Sequence, residues 1–344
     1  MKQLKELVRE NIWNLKPYSC ARDEFKGEAK AYLDANENPF NTLYNRYPDP
    51  LQWAVKEKIA ELKYVKPSQI MLGVGSDEPI DLIFRVFCEP KQDNVVAINP
   101  TYGMYGVCAD INNVEYRQVN LEEDFSLDAD KVLKSVDENT KVIFLCSPNN
   151  PTGNLLSEAQ IEKILKGFDG IVVIDEAYID FSDKPSWLTK LKKYPQLVIL
   201  QTFSKAWGLA AARCGMAFAS EEIISFFNKV KYPYNINILT QKLILEKLEN
   251  IDIKENWVKE ILSQRSLMIE ELNNLSIVKH IYPSDSNFIL VKVDDANLRY
   301  KQLVDNGIIV RNRNSVTLCE NCLRITIGTA QDNKELLKAL TSLA

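Results

Sequence analysis

Four short apolar runs limit what this chain can fold into: Val95-Val96-Ala97-Ile98, Val142-Ile143-Phe144-Leu145, Ile171-Val172-Val173-Ile174 and Leu197-Val198-Ile199-Leu200. None alternates with polar residues, so each predicts a strand covered on both faces. Amphipathic stretches lie between them, such as 157–167, which opens on the helix-start pair Ser157-Glu158. Strands alternating with helices in this way predict an α/β fold, with a mostly parallel sheet covered by helices on both faces. Gly215-Met216-Ala217-Phe218-Ala219 reads as one more strand.

The pattern changes after Pro233. Residues 236–273 are nearly free of glycine and proline and read as long, charged helix. A second α/β set follows: a strand at 287–291, a helix at 296–306, a short strand at 308–310, a strand at 323–327 and a closing helix at 333–343. The expected organisation is an N-terminal segment over 1–40, a large domain over 41–240 and a smaller α/β domain over 241–344. The N-terminal segment is expected to pack with the small domain and with a partner subunit.

Composition excludes several classes of function. A net charge of -5 over 344 residues leaves no electrostatic footprint for nucleic acid. No apolar run reaches the length of a membrane span. The start, Met1-Lys2-Gln3-Leu4-Lys5-Glu6-Leu7, reads as an amphipathic helix and not as a signal peptide, so a cytoplasmic protein is expected. Seven cysteines, Cys20, Cys88, Cys108, Cys146, Cys214, Cys319 and Cys322, are an odd and scattered set, as expected of buried thiols in a reducing compartment. Cys319 and Cys322 have no second pair or histidine nearby, so no zinc site is expected. One histidine, His280, argues against a Ser-His-Asp triad or a multi-histidine metal site. That leaves lysine as the natural acid–base group.

In an open α/β sheet, ligands bind at the carboxyl ends of the strands, and unusual residues collect there. Lys205, in Thr202-Phe203-Ser204-Lys205-Ala206-Trp207-Gly208-Leu209, follows the last apolar run. A desolvated lysine there loses its proton easily and becomes a nucleophile for an aldehyde. Ser147-Pro148-Asn149-Asn150-Pro151-Thr152-Gly153 is a tight turn, and an asparagine in it can bond a phenolic oxygen. Asp175, in Ile174-Asp175-Glu176-Ala177-Tyr178, ends an apolar strand; it needs a cation or its pKa rises. Arg213 stands in apolar surroundings and suits either a phosphate or a structural salt bridge. Gly73-Val74-Gly75-Ser76-Asp77-Glu78 is either a phosphate cup at a helix N-terminus or a helix start capped by Ser76.

Asn-Pro-Thr-Gly, Asp-x-x-Tyr, Ser-Lys and an arginine eight residues later, in that order, resemble the fold-type I pyridoxal-phosphate aminotransferases of the aspartate aminotransferase superfamily. The resemblance covers essentially the whole chain. It implies a large domain with a mostly parallel seven-stranded sheet, a smaller α/β C-terminal domain, and pyridoxal 5'-phosphate as cofactor. It implies that Lys205 forms the Schiff base and moves the α-proton, and that Asp175 pairs the ring nitrogen. Asn150 and Tyr178 would bond the phenolic oxygen, and Tyr102 would stack on the ring. Ser76, Asp77, Thr202, Ser204 and Arg213 would hold the phosphate, with Glu78 counted among the cofactor-binding residues. Tyr47 would reach the cofactor phosphate of a partner subunit, which makes the expected enzyme a homodimer.

Leu15-Lys16-Pro17-Tyr18 with Ala21-Arg22, Leu33-Asp34-Ala35-Asn36-Glu37-Asn38-Pro39, Gly307-Ile308-Ile309-Val310-Arg311 and Leu323-Arg324-Ile325-Thr326-Ile327 narrow the resemblance to the histidinol-phosphate aminotransferase family. That family implies histidinol phosphate and glutamate or 2-oxoglutarate as substrates, in histidine biosynthesis. Arg311 and Arg324, with Tyr18 and Asn36 beside them, would bind the substrate; two guanidiniums suit a phosphate dianion. An aromatic amino acid aminotransferase and a threonine-phosphate decarboxylase of the same fold remain open alternatives. A non-catalytic sensor would need a DNA-binding domain, which a chain of this charge does not suggest.

Overall fold

The computed structural model describes residues 2–19, 22, 27, 29–40 and 42–343. Its large sheet has seven strands: β1 Ile70–Val74, β2 Asn94–Asn99, β3 Glu115–Asn120, β4 Thr140–Cys146, β5 Ile171–Asp175, β6 Leu197–Thr202 and β7 Cys214–Phe218. They lie in the order β1-β7-β6-β5-β4-β2-β3. β7 runs antiparallel to β1 and β6, and every other pairing is parallel.

The apolar runs are unbroken because two separate core layers cover the sheet. Val172 and Ile174 of β5 face one layer, and Ile171 and Val173 face the other. Strands β4 and β6 divide their residues in the same way. Helices Asp77–Phe87, Met104–Asn112 and Glu221–Val230 supply Phe84, Tyr105 and Phe227 to one layer. Helices Trp53–Lys63, Glu158–Gly167 and Ile238–Leu248 supply Ile59, Ile161 and Ile244 to the other. Two further strands belong to the sheet: β1, whose apolar run Ile70-Met71-Leu72 is cut short by Gly73, and β3, a largely exposed edge strand.

A second sheet contains β8 Val278–Ile281, β9 Phe288–Val293, β10 Arg311–Asn312 and β11 Cys322–Thr326, in the antiparallel order β10-β11-β9-β8. Helices Ile251–Asn273, Ala296–Asp305 and Ala330–Leu343 pack on it through Met268, Leu303 and Leu340.

Three expectations need correction. No strand forms at 308–310. Gly307, at φ +75°, ends the preceding helix, and the Ile308 N–H bonds back to the Leu303 carbonyl, so the paired segment starts at Arg311. The helical stretch 236–273 is two helices, interrupted at Glu249 and Asn250. Residues 4–13 pack on the large sheet and not on the small one. Leu7, Val8 and Ile12 join its core layer, and the Arg9 N–H bonds the Val86 carbonyl. Ala21 and Cys20 lie outside the described residues; the other six cysteines are buried free thiols. Among the described residues, no helix is long and apolar enough to cross a membrane.

The direction of β7 shapes the functional edge. Running against β6, it starts where β6 ends, with Thr202 opposite Gly215, and β1 ends beside the same point. Backbone meets backbone there: a Cβ on Gly215 would lie 2.4 Å from the Gly75 carbonyl carbon and 2.5 Å from the Ser76 nitrogen. Gly215→Ala must therefore push β1 and the loop after it away from β7. The expected loss is about 1–3 kcal/mol, read as a lower urea midpoint; an unchanged midpoint would show that this contact tolerates a methyl group.

Candidate active site

The loops after β1, β2, β4, β5 and β6 and the turn before β7 enclose a cavity of about 150 Å³. Gly75, Ser76, Asp77, Tyr102, Asn150, Asp175, Tyr178, Thr202, Ser204, Lys205 and Arg213 line it. Each comes from a strand end or the loop after it, so parallel pairing of β4, β5 and β6 alone brings Asn150, Asp175 and Lys205 to one edge.

One end of the cavity is built for an anion. Ser76 occupies the N-cap position of helix Asp77–Phe87, but its hydroxyl makes no capping bond. The helix start offers N–H groups and a partial positive charge to the cavity. The Thr202 and Ser204 hydroxyls are 2.9 Å apart, and Arg213 stands opposite with its guanidinium 3.4 Å from Asp77. Gly75, at φ +68°, leaves room for that arginine: a Cβ there would lie 2.5 Å from Arg213 Nη2. Glu78 is turned away. Its carboxylate accepts the Val74 N–H at 2.6 Å and the Asn235 amide at 2.9 Å, so it braces the loop and does not line the cavity.

Asp175 lines the same cavity from the end of β5 and is 3% exposed. Tyr105 donates its hydroxyl to Oδ2 at 2.8 Å, and the Ala177 N–H donates to Oδ1 at 3.0 Å. Desolvation nevertheless raises the Asp175 pKa, and these two donors only oppose the rise. No cation pairs with it among the described residues. Tyr105, fully buried on helix Met104–Asn112, was not singled out from the sequence. A tyrosine on an apolar helix face gives no sign of a carboxylate seventy residues away.

Lys205 lines the cavity too, its Nζ 5.4 Å from the centre of the Tyr178 ring. The residue as a whole is exposed and not enclosed as expected. Its pKa still falls, first through desolvation of the ammonium and then through the nearby Arg324 guanidinium. Of the adjacent asparagines, Asn149 is structural: it bonds the Pro100 carbonyl and the Thr152 hydroxyl. Asn150 faces the cavity, donates to the Tyr178 hydroxyl at 3.4 Å and accepts from Arg324. Both X-Pro bonds of this loop are cis. Tyr102 donates to Asp77 at 3.0 Å.

Arg324 and Arg311 are cross-strand partners on β11 and β10. Arg324 reaches the site through Asn150 and lies over the Phe288 ring at 5.2 Å. Arg311 is exposed. Tyr18, Asn36 and Tyr47 do not line the cavity; they lie exposed on the N-terminal arm and the segment that continues it to Tyr47. Glu37 fastens that arm by accepting from Arg22, from Arg46 at 2.7 Å and from the Tyr47 N–H at 2.6 Å. Arg22 foremost holds the Glu37 carboxyl well below the ordinary carboxylate range. This brace was also not read from the sequence.

The donor set fits pyridoxal phosphate. There is an anion cradle that only glycine at position 75 leaves open, a buried carboxylate lacking a cation, a hydrogen-bonded asparagine–tyrosine pair, and a lysine in the same cavity. The sequence matches the family Aminotransferase class I and II over residues 22–340. It is 60% identical, over 341 residues and 99% of each chain, to a histidinol-phosphate aminotransferase of Bacteroides thetaiotaomicron. The fold matches that of the histidinol-phosphate aminotransferase from Clostridium acetobutylicum, with a TM-score of 0.80 and 24% identity, over 87% of this chain and 90% of that one. It matches the Sinorhizobium meliloti enzyme in complex with pyridoxal-5'-phosphate, with a TM-score of 0.80 and 23% identity, over 87% and 84% of the two chains. At these lower identities the likeness is one of fold.

A carboxyl with a raised folded pKa stabilises the fold below its unfolded pKa, near 4, and that contribution is lost as pH rises through the folded value. Asp175→Asn carries no such proton. In the cofactor-free chain, the stability of Asp175→Asn relative to the parent is therefore expected to rise as pH increases above about 4. Urea unfolding at each pH measures this, and a pH-independent difference would contradict the burial strain on Asp175.

Proposed function

The chain belongs to the class I and II aminotransferases, within the histidinol-phosphate aminotransferases, and on that premise we propose how its residues work. It is a pyridoxal-phosphate-dependent enzyme that transfers the amino group of L-histidinol phosphate to 2-oxoglutarate. The products are imidazole acetol phosphate and L-glutamate, in histidine biosynthesis. The observation that carries the substrate reading is the in-register pair Arg311 and Arg324 beside a cavity that holds Lys205 and Asp175.

The chemistry supplied by the cofactor, when bound, is an electron sink for the bond broken at the substrate Cα. Lys205 is the amine placed to hold the cofactor aldehyde, and it is the base that moves the Cα proton. Its lowered pKa makes the free amine available nearer neutral pH. Asp175 keeps the ring nitrogen protonated by meeting it with a carboxylate that otherwise has no cation. Asn150 and Tyr178 hold the phenolic oxygen, and Tyr102 covers the ring. Ser76, Thr202, Ser204, Arg213 and the helix start hold the cofactor phosphate, with Asp77 orienting Arg213 and Tyr102. Arg324 serves both half-reactions, binding the substrate phosphate in one and the glutamate carboxylate in the other. Arg311, Tyr18 and Asn36 complete the substrate end.

In this reading residues 41–240 form the cofactor domain and 241–344 the smaller domain. The enzyme works as a cytoplasmic homodimer in which the partner's Tyr47 reaches the cofactor phosphate. The arm bearing Tyr47 is rich in exposed aromatics: Tyr32 is 44% exposed, Phe40 88% and Tyr44 58%. A protein–protein contact would cover such a surface.

Two measurements test the reading. Lys205→Ala is expected to abolish both turnover and the visible absorption band of the bound cofactor; multiple turnover by that variant would sink the assignment. Histidinol phosphate and threonine phosphate assayed side by side with 2-oxoglutarate separate the enzyme from a decarboxylase of the same fold. Glutamate formation with histidinol phosphate is expected, and carbon dioxide release from threonine phosphate without it would replace the reading.

A further inference from the structure

Arg313 has no part in the site as described so far, yet it stands beside it. The Arg313 N–H donates to the Cys322 carbonyl at 2.9 Å, which carries the β10–β11 ladder one step past Asn312. Alternate residues of an extended strand share a face, and directly opposed residues do too. Arg311, Arg313 and Arg324 therefore project from one face of the small sheet. Leu323, between Cys322 and Arg324, faces the core on the other side, and Asn312 bonds Asn297 there.

The three guanidiniums repel one another. Burial lowers the Arg313 pKa to about 10, with Arg324 and Arg311 adding to the effect. Among the described residues none of the three meets a carboxylate within ion-pair distance. The Nε atoms of Arg313 and Arg324 are both buried without a hydrogen-bond partner. Like charges left unpaired in a half-buried cluster cost stability unless an anion joins them. A carboxylate brings one negative charge, whereas a phosphate monoester above its second pKa, near 6, brings close to two.

We propose that Arg313 is a specificity-determining residue that gives the arginine cluster of the small sheet, beside the cavity, its preference for a dianionic phosphate over a carboxylate. The proposal rests on the substrate reading above. Arg311 and Arg324 serve any anion, and Arg313 supplies the third charge that only a dianion uses in full.

The test uses the holoenzyme and the variants Arg313→Gln and Arg313→Lys. Arg313→Gln is expected to raise KM for L-histidinol phosphate by about 10- to 100-fold, with kcat within about threefold and KM for glutamate raised less. Methyl phosphate, titrated calorimetrically, gives a readout independent of turnover. Its affinity for the parent enzyme is expected to increase from about pH 5 to pH 7.5 as the dianion forms, and Arg313→Gln is expected to flatten that increase. Arg313→Lys, which keeps the charge, is expected to recover most of it. Equal phosphate affinity and pH profile in Arg313→Gln and the parent would overturn the proposal. So would equal losses in both variants accompanied by a lower urea midpoint, or a variant that only dissociates the dimer. If the parent failed to transaminate histidinol phosphate while methyl phosphate binding still depended on Arg313, the substrate assignment would fall and the dianion site would stand.

Discussion

Asp175 ends β5 with its carboxylate inside the core, where an ionised oxygen pair is costly unless donors or a cation meet it. Tyr105 and the Ala177 N–H supply two donors, and among the described residues no cation lies within ion-pair distance. The charge is thus left for a ligand to answer. The rest of the site takes its position from this arrangement. β4 and β6 flank β5 in parallel register, so the loops carrying Asn150 and Lys205 leave the sheet at the same edge. The reversed β7 then brings Arg213 to that edge from the other direction.

The cavity and the small-sheet arginines beside it carry two charge imbalances of opposite sign. At the sheet end a carboxylate lacks a cation, and a pyridinium nitrogen would supply one. At the small-sheet end Arg311, Arg313 and Arg324 lack an anion, and the substrate would supply that. Lys205 lines the cavity, and its ammonium is disfavoured by desolvation and by Arg324. A site optimised for stability alone would pair these groups with each other. Their separation keeps both ends ready for ligands and keeps the lysine easier to deprotonate.

Much of this was legible from residue order. Apolar runs without alternation require a sheet covered on both faces, and the strand ends named the loops where chemistry collects. Asp175, Asn150 and Lys205 follow from that rule, and Arg213 stands out by its apolar sequence neighbours. Strands β1 and β3 were not legible, because Gly73 cuts the apolar run of β1 to three residues and β3 is a mostly polar edge strand in which only Val119 is buried. Glu78 was misplaced because its neighbours Ser76 and Asp77 face the cavity, and only the phase of the helix shows that Glu78 points back to Val74.

What the sequence determined is the set of chemical groups and the edge of the sheet to which they are delivered. Periodicity and strand-end position are local properties, and they survive in one dimension. Only the tertiary structure decided which distant groups meet: Tyr105 with Asp175, Glu37 with Arg22 and Arg46, Arg324 with Asn150, and Arg313 with its two like-charged neighbours. These meetings depend on strand register and helix phase across long separations. No local pattern encodes them, because the same tyrosine or arginine would fit its own segment equally well with a different partner.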